Sequence, residues 1–242
     1  ANEVNIDEIA KILDVNVTDI QVDIKINKVA ADLEKKINED AKAQGYEVIF
    51  SPVEFEVTAR MTTVSGEIKE ISLNTFSDYV ERIFKMPENI EENKITTGVV
   101  YNEDGTFSHI PTKVSKKGNR FYATLNSLTN SRYLLISNTT TVPTVENHWS
   151  KAAVNDMASR LILGNPGTFI PGGSITRGEF AEYIAKALGI YRTGITSVST
   201  FSDVNQTDKL IHGITIASQY GIINGYEDGT FPAGTTAYEK RG

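Results

Sequence analysis

The spacing of apolar residues changes character several times along the chain. Ile6, Ile9, Ala10 and Leu13 recur at helical intervals, with Asp7 and Glu8 in the first turn, and predict a short helix over Ile6 to Leu13. Strict alternation follows. Ile20, Val22, Ile24 and Ile26 fall on one side and Asp19, Gln21, Asp23 and Lys25 on the other, the pattern of a half-buried strand. Helical spacing returns from Val29 to Gln44 through Ala30, Leu33 and Ile37 and stops at Gly45. Beyond it the chain reads as β, with strands expected at Glu47 to Phe50, Val53 to Met61, Glu67 to Leu73, Tyr79 to Lys85, Thr97 to Tyr101, Phe107 to Lys113, Arg120 to Leu125 and Arg132 to Ile136. Glu103-Asp104-Gly105 and Lys116-Lys117-Gly118-Asn119 are hairpin signals between them. Many short strands at this spacing suggest an antiparallel sandwich.

The polar run from Ser137 to Thr144, with Asn138-Thr139-Thr140-Thr141 and Pro143, lacks any period and reads as a linker, set at 138–145. After Trp149 the pattern is helical. Ala153, Met157 and Leu161 beside Val154, Ala158 and Ile162 form one broad apolar face, and a second helix from Glu179 to Leu188 turns Phe180, Ile184, Ala187 and Leu188 inward before Gly189. The expected fold class is therefore α+β: a sandwich-like N-terminal domain with short helices over 1–137, then an all-α region divided into 146–200 and 201–242.

Charge narrows the partners. Residues 1–145 hold 16 Lys+Arg against 22 Asp+Glu, and residues 146–242 hold 8 against 9, so the net charge of −7 resides mainly in the first part. An acidic surface repels phosphate backbones, and no basic cluster offers an anionic membrane a landing patch, so neither nucleic acid nor membrane is an expected partner. The chain has no cysteine, which removes disulfides, Cys-based zinc sites and thiol catalysis. It has no long apolar span and no basic-then-apolar leader.

The helical part repeats itself. Met157-Ala158-Ser159-Arg160-Leu161-Ile162-Leu163 aligns with Ala217-Ser218-Gln219-Tyr220-Gly221-Ile222-Ile223, and Gly167-Thr168-Phe169 with Gly229-Thr230-Phe231, a repeat with a small insertion in one loop. The first copy contains His148-Trp149 and Ile175-Thr176-Arg177-Gly178-Glu179. The second opens on Phe201-Ser202-Asp203-Val204 and contains Gly225-Tyr226-Glu227-Asp228-Gly229-Thr230-Phe231. Together these resemble the S-layer homology family, whose repeats read roughly F-x-D-V, H-W, a helix, G-Y-x-D-G-T-F-x-P and I-T-R-x-E. The resemblance implies two helices per repeat and three repeats packed with pseudo-threefold symmetry. It also implies binding of secondary cell-wall polysaccharide, often bearing pyruvate ketals, in grooves between repeats, and so an extracellular place at the cell wall or S-layer of a Gram-positive bacterium.

Each copy departs from the pattern. The first has Val142-Pro143-Thr144-Val145 in place of F-x-D-V and Leu163-Gly164-Asn165-Pro166-Gly167 in place of G-Y-x-D-G. The second has Lys209 at the Trp position and Ala237-Tyr238-Glu239-Lys240 where T-R-x-E would stand. With no helix after its turn, the second copy is expected to leave Ile214, Ala217, Ile222 and Ile223 short of packing partners, and the repeats are expected to self-associate. Residues 1–145 look similar to the β-rich region that precedes such repeats in Gram-positive surface proteins. Asn126-Ser127-Leu128-Thr129-Asn130-Ser131 also resembles, faintly, the cleavage site of GAIN-type autoproteolytic domains. No cleavage is expected there, because Ser127 and Leu128 precede Thr129 where that reaction needs a histidine base.

The candidate polysaccharide-binding residues are Trp149, Thr176, Arg177, Glu179, Gly225, Tyr226 and Asp228. Thr176 and Glu179 stand at N-cap and N3 of a helix and suit a capping box. Arg177 at N1 opposes the helix dipole, and a guanidinium beside free N–H groups is a good carboxylate receptor, or else one half of a salt bridge. Trp149 could line a sugar groove or pack as a lid between repeats. The Gly225 to Phe231 run suits a tight turn. Its likeness to a calcium loop fails at Tyr226, which occupies a ligand position, and at the missing twelfth-position Glu. His109, His148 and His212 lack metal spacing, and there is no G-x-S-x-G elbow and no P-loop, so the chain reads as non-catalytic, with no cofactor and no metal. The alternatives are a self-associating S-layer module without glycan binding, or the wall-proximal spacer of a larger extracellular glycoside hydrolase.

Overall fold

The computed structural model describes residues 6–16, 20–62, 65–193 and 198–237. In chain order the elements are α1 (Ile6–Leu13), β1 (Gln21–Lys28), α2 (Ala31–Ala43), β2 (Glu47–Thr62), β3 (Ile68–Ser72), β4 (Thr75–Lys85), β5 (Thr97–Tyr101), β6 (Phe107–Ile110), β7 (Thr112–Lys117), β8 (Arg120–Thr129), β9 (Arg132–Ser137), α3 (Lys151–Ser159), α4 (Arg177–Ala187) and α5 (Ile211–Gln219). The protein is mixed α and β, with antiparallel sheets in a β-rich N-terminal part. It divides into two compact units, residues 1–101 with 112–136, and residues 102–111 with 137–242.

In the first unit one sheet runs β1-β2-β9-β5, with β3 also on β2, and a second runs β4-β8-β7. β9 lies inside its sheet, and Tyr133, Leu134, Leu135 and Ile136 are all fully buried, so the expected alternation gives way to a continuous apolar run. The two sheets meet face to face. Phe84 of β4 packs edge-on against Phe50 and Phe55 of β2, at 5.1 and 6.2 Å between centroids. Leu125 of β8 presses onto Gly98 of β5, where a Cβ would lie 2.4 Å from a leucine methyl. Three residues on, and so on the opposite face of the sheet, the Tyr101 hydroxyl donates to Asp40 of α2 at 2.6 Å and accepts from Lys36 at 2.7 Å. The sandwich thus has a helix as a third layer, with Ile37 and Ala41 of α2 fully buried.

Two expectations for this unit are corrected. Residues 47–62 form one strand running through Pro52, and the segment expected as one strand over Phe107 to Lys113 breaks at Pro111, which has no N–H to continue a ladder. β1 is not half-buried: Val22, Ile24 and Ile26 are 39, 67 and 63% exposed. Asp19 lies outside the described residues.

A charge sits inside the first unit. Arg82 of β4 is 4% exposed, with its guanidinium carbon 4.8 Å from the Tyr133 ring centroid, 5.1 Å from Phe55 and 5.8 Å from Phe76. It donates to the Val80 and Thr129 carbonyls, each at 3.0 Å, and to Asn130 Oδ1 at 2.9 Å, which fastens the β8–β9 turn. The Ser127-Leu128-Thr129-Asn130 stretch is therefore the end of a strand and its turn, with Ser127 accepting from the Tyr133 hydroxyl at 2.9 Å.

The second unit contains both repeat copies. α3 and α5 are nine residues each and correspond at an offset of 60. Their C-terminal bonds correspond too: Ile162 N to Met157 O and Ile222 N to Ala217 O are both 2.9 Å. The second residue past each helix is left-handed, Leu161 at φ 62° and Gly221 at φ 67°. Pro143 to Val145 form a 3-10 turn, and Val142 and Val145 are fully buried against Val154, Ala158 and Leu163. The expected linker is therefore part of the first copy's core from Val142 onward, because the two valines that flank the Pro-Thr pair lie three residues apart across a 3-10 turn and both face inward. Ile214 and Ala217 are fully buried and Ile223 nearly so, against Ala181 and Ile184 of α4 and against Phe231. The expected shortage of partners in the second copy does not occur, since the first copy's second helix covers it.

The 102–111 segment belongs to this unit. Gly189, which ends α4 at φ 68°, abuts it so closely that a Cβ would lie 2.4 Å from Pro111 Cδ. His109 within it is 5% exposed, and burial, with Arg160 and Arg192 nearby, pushes its pKa down to about 3.

Two outcomes follow from these buried groups. Arg82→Ala strips three or more acceptors of their donor and should lower unfolding free energy by about 2–4 kcal/mol in denaturant titration, and Arg82→Lys should recover only part of this because an ammonium lacks the fork. Neutral His109 takes up a proton when the chain unfolds, so between about pH 6.5 and pH 3 the unfolded state binds more protons and stability falls as pH falls. The slope should approach about 1.4 kcal/mol per pH unit for this group, and His109→Gln should flatten it in melting curves taken across that window.

Candidate functional site

The N-terminus of α4 is built by its own sequence. Thr176 at N-cap accepts from Glu179 N at 3.2 Å, and Glu179 Oε2 accepts from Thr176 N at 2.8 Å and from the Thr176 hydroxyl at 3.0 Å, a complete capping box. The tail of the second copy then runs alongside. Arg177 N donates to Thr235 O at 2.8 Å, Gly178 N to Ala233 O at 2.9 Å, and Thr176 bridges Thr236. Gly178 permits this approach, for a Cβ would lie 2.8 Å from Leu210 and 3.2 Å from Ala233.

This docking places Arg177, from the first copy, over the turn of the second. Its guanidinium lies 4.5 Å from the Phe231 ring centroid and 5.0 Å from that of Tyr226, and Nη2 donates to Asn224 O at 3.2 Å. Nε is buried without a partner, and among the described residues no carboxylate lies within ion-pair distance. The salt-bridge reading of Arg177 thus has no acidic partner among them. A planar cation is held by two rings and one carbonyl, beside a helix N-terminus.

The turn below it folds on local terms. Asp228 Oδ1 accepts from Thr230 N at 2.9 Å and from its hydroxyl at 2.7 Å, which holds the Asp228 carboxyl below its usual range. Tyr226 N donates to Thr230 O at 2.8 Å, and Gly229 takes φ 82°. The same four residues, Asp104-Gly105-Thr106-Phe107, make the same turn: Asp104 Oδ1 accepts from Thr106 N at 3.0 Å and its hydroxyl at 2.6 Å, Asn102 N donates to Thr106 O at 2.9 Å, and Gly105 takes φ 82°. A motif that folds identically in two settings is turn chemistry, so Asp228 shapes the turn and Tyr226, 48% exposed, is the residue it presents. Gly225 admits Phe201, whose Cε1 would lie 2.5 Å from an added Cβ.

Sequence reasoning matched Phe201-Ser202-Asp203-Val204 with Val142-Pro143-Thr144-Val145 but gave these residues no role, and the structure shows that they close each copy. Phe201 stacks on Phe231 at 5.2 Å, and Asp203 Oδ1 accepts from Phe231 N at 2.6 Å. At the corresponding place in the first copy the Thr144 hydroxyl donates to Phe169 O at 2.6 Å. The F-x-D-V motif is a clasp on the turn's phenylalanine, and Thr keeps it with donor and acceptor exchanged. The shared offset of 59 between Val142-Thr144-Val145 and Phe201-Asp203-Val204 was the available signal.

Trp149 is 90% exposed, with its ring 5.3 Å from that of His148, so within the chain it is no lid. It stands two residues before the start of α3. Thr176, Arg177, Glu179, Gly225, Tyr226 and Asp228 are gathered at the meeting of the two copies, and Trp149 is not among the residues touching Arg177. Beside Glu179 a cavity of about 460 Å³ opens over the first copy, lined by Val154, Met157, Leu163, Phe169, Ile175 and Tyr183 among others. Among the described residues no group of His, Asp and Glu is placed to hold a metal ion, and no helix is long and apolar enough to cross a membrane.

Comparison with known proteins bears on this half of the chain. The S-layer homology domain model matches residues 142–181 and 200–231. Cell surface glycoprotein 1 of Acetivibrio thermocellus is 41% identical over 66 residues, which are 27% of this chain and 3% of that protein. The chain thus spans a small fraction of that relative's length, and no solved structure matches. Both matched segments begin at the clasp residues and include the turn, and the first includes the start of α4 up to Ala181. Residues 142–181 and 200–231 are thus S-layer homology sequence, and the chain is similar over part of its length to a cell surface glycoprotein.

Proposed function

We propose that the second unit anchors the protein, outside the cell, to a secondary cell-wall polysaccharide bearing acidic groups such as pyruvate ketals, with the β-rich unit as a non-catalytic spacer. S-layer homology domains mediate cell-wall anchoring of surface proteins, and the finer reading rests on one observation: the cation of Arg177, without a carboxylate partner among the described residues, at the junction of two repeats. A ketal carboxylate suits a guanidinium that can donate two parallel bonds, and the half-exposed Tyr226 ring beside it offers a sugar an apolar face. Thr176 and Glu179 contribute by holding the helix end in place, and Asp228 and Gly225 by setting the turn. Trp149, in solvent, is available as a second aromatic contact to a long polymer.

Co-sedimentation with purified cell walls, before and after chemical removal of the polysaccharide, tests this reading. Binding should depend on the polysaccharide, and walls stripped of it that still retain the protein would favour self-association of the repeats. Arg177→Ala should lower affinity at least tenfold, equivalent to about 1.5–3 kcal/mol for a lost charge-assisted hydrogen bond, with only a modest fall in melting temperature. Arg177→Lys should bind between the two, because it keeps the charge and loses the fork. Unchanged binding by Arg177→Ala would remove the assignment.

A further inference from the structure

β1 presents an apolar stripe where a covered one was expected. Val22, Ile24 and Ile26 share a face with their cross-strand partners on β2, Ala59, Val57 and Phe55. On β2 that face is closed, with Ala59 fully buried and Val57 8% exposed beneath Ile9 and Leu13 of α1. One strand further out it lies open, up to 67% exposed at Ile24. β1 also stands at the end of the sheet order, so among the described residues no strand pairs its outer side. An eight-residue edge with an apolar stripe, no proline and no bulge is a template for another strand.

The order of residues along β1 says which strand. In antiparallel pairing around Ile24, Ile24 faces Ile24, Val22 faces Ile26, Asp23 faces Lys25 and Gln21 faces Asn27. Apolar meets apolar on one face, and on the other each acid meets a base, twice by symmetry. Neighbouring registers fail. Centring on Asp23 opposes two aspartates, centring on Lys25 opposes two lysines and sets Val22 against Lys28, and a shift by half a step puts Ile24 against Lys25 in one direction and against Asp23 in the other. The charges also continue a row already in the sheet, since Lys25 stands opposite Glu56 and Asp23 accepts from Arg60 at 2.7 Å. Glu56, Lys25, the second copy's Asp23 and its Arg60 then alternate in sign across the junction.

We propose that β1 is a self-association edge: two copies of this chain join β1 to β1, antiparallel about a twofold axis at Ile24, and the sheet runs on from one copy into the next. The interface is isologous and closes at two copies, because pairing consumes the edge on both sides. It is independent of the wall-anchoring reading, which concerns the other unit.

The absence of native cysteine makes a direct test available in the full chain. Directly opposed residues in an antiparallel pair have Cβ atoms about 4.5–5.5 Å apart, near enough for a disulfide after slight adjustment. Under mild oxidation with diamide, Ile24→Cys should give a disulfide-linked dimer at least tenfold faster than Ile83→Cys, an equally exposed position on β4. Lys25→Asp and Asp23→Lys should each be monomeric by light scattering where the unchanged chain is dimeric, while an equimolar mixture of the two should dimerise, since every acid again meets a base. Circular dichroism shows whether each charge variant keeps its fold, and the cysteine comparison stands without them. Equal cross-linking rates at 24 and 83, a monomer at every concentration, or a dimer that both charge variants retain would each overturn the proposal.

Discussion

The second unit depends on how closely α4 can lie on α5. Gly213 faces the Glu182 backbone so tightly that a Cβ would stand 2.5 Å from its Cα, and Ala181 and Ala185 are fully buried. Small residues on both helices bring the backbones together, and dispersion across such a contact falls steeply with any added gap. That approach decides the rest. It seats the first copy's second helix on the second copy's core, buries Ile214 and Phe231, and carries the N-terminus of α4 to the turn where Arg177 meets Tyr226. A larger residue at Gly213 would separate the two copies and dissolve the site without altering any residue in it.

Much of this was legible in the sequence and some was not, for identifiable reasons. α1 falls on its expected span, and the capping box at Thr176 and Glu179 has the expected partners, because local spacing and backbone satisfaction determine both. The exposure of β1 could not be read, since alternation states that a strand has two faces and not whether anything covers the apolar one. The burial of the second copy was also hidden, because the covering helix belongs to the other copy and packing across repeats leaves no periodic trace. The Asp-Gly-Thr-Phe turn was in plain view twice. Its second occurrence, outside the repeats, is what separates turn chemistry from binding chemistry at Asp228.

The two copies use one plan with different materials. Asp203 accepts from the turn's backbone where Thr144 donates to it, and Gly221 relaxes a left-handed position that Leu161 occupies at some cost to its backbone. The second copy has Ala181 and Ile184 of α4 on its core, and the first copy has Tyr183 of the same helix against its own, beside the cavity that Met157 and Phe169 also line. Equivalent positions such as Val154 and Ile214, or Leu163 and Ile223, are buried in both copies.

Trp149 gives the molecule a built-in optical reporter. The chain's one tryptophan stands in water beside His148 and takes no part in the packing of either copy's core. Light absorbed by it alone is nearly blind to whether the cores are folded, since its surroundings are already aqueous. What that emission registers is whatever arrives at the surface in front of α3, so occupancy of that surface can be followed in the unlabelled protein, separately from folding.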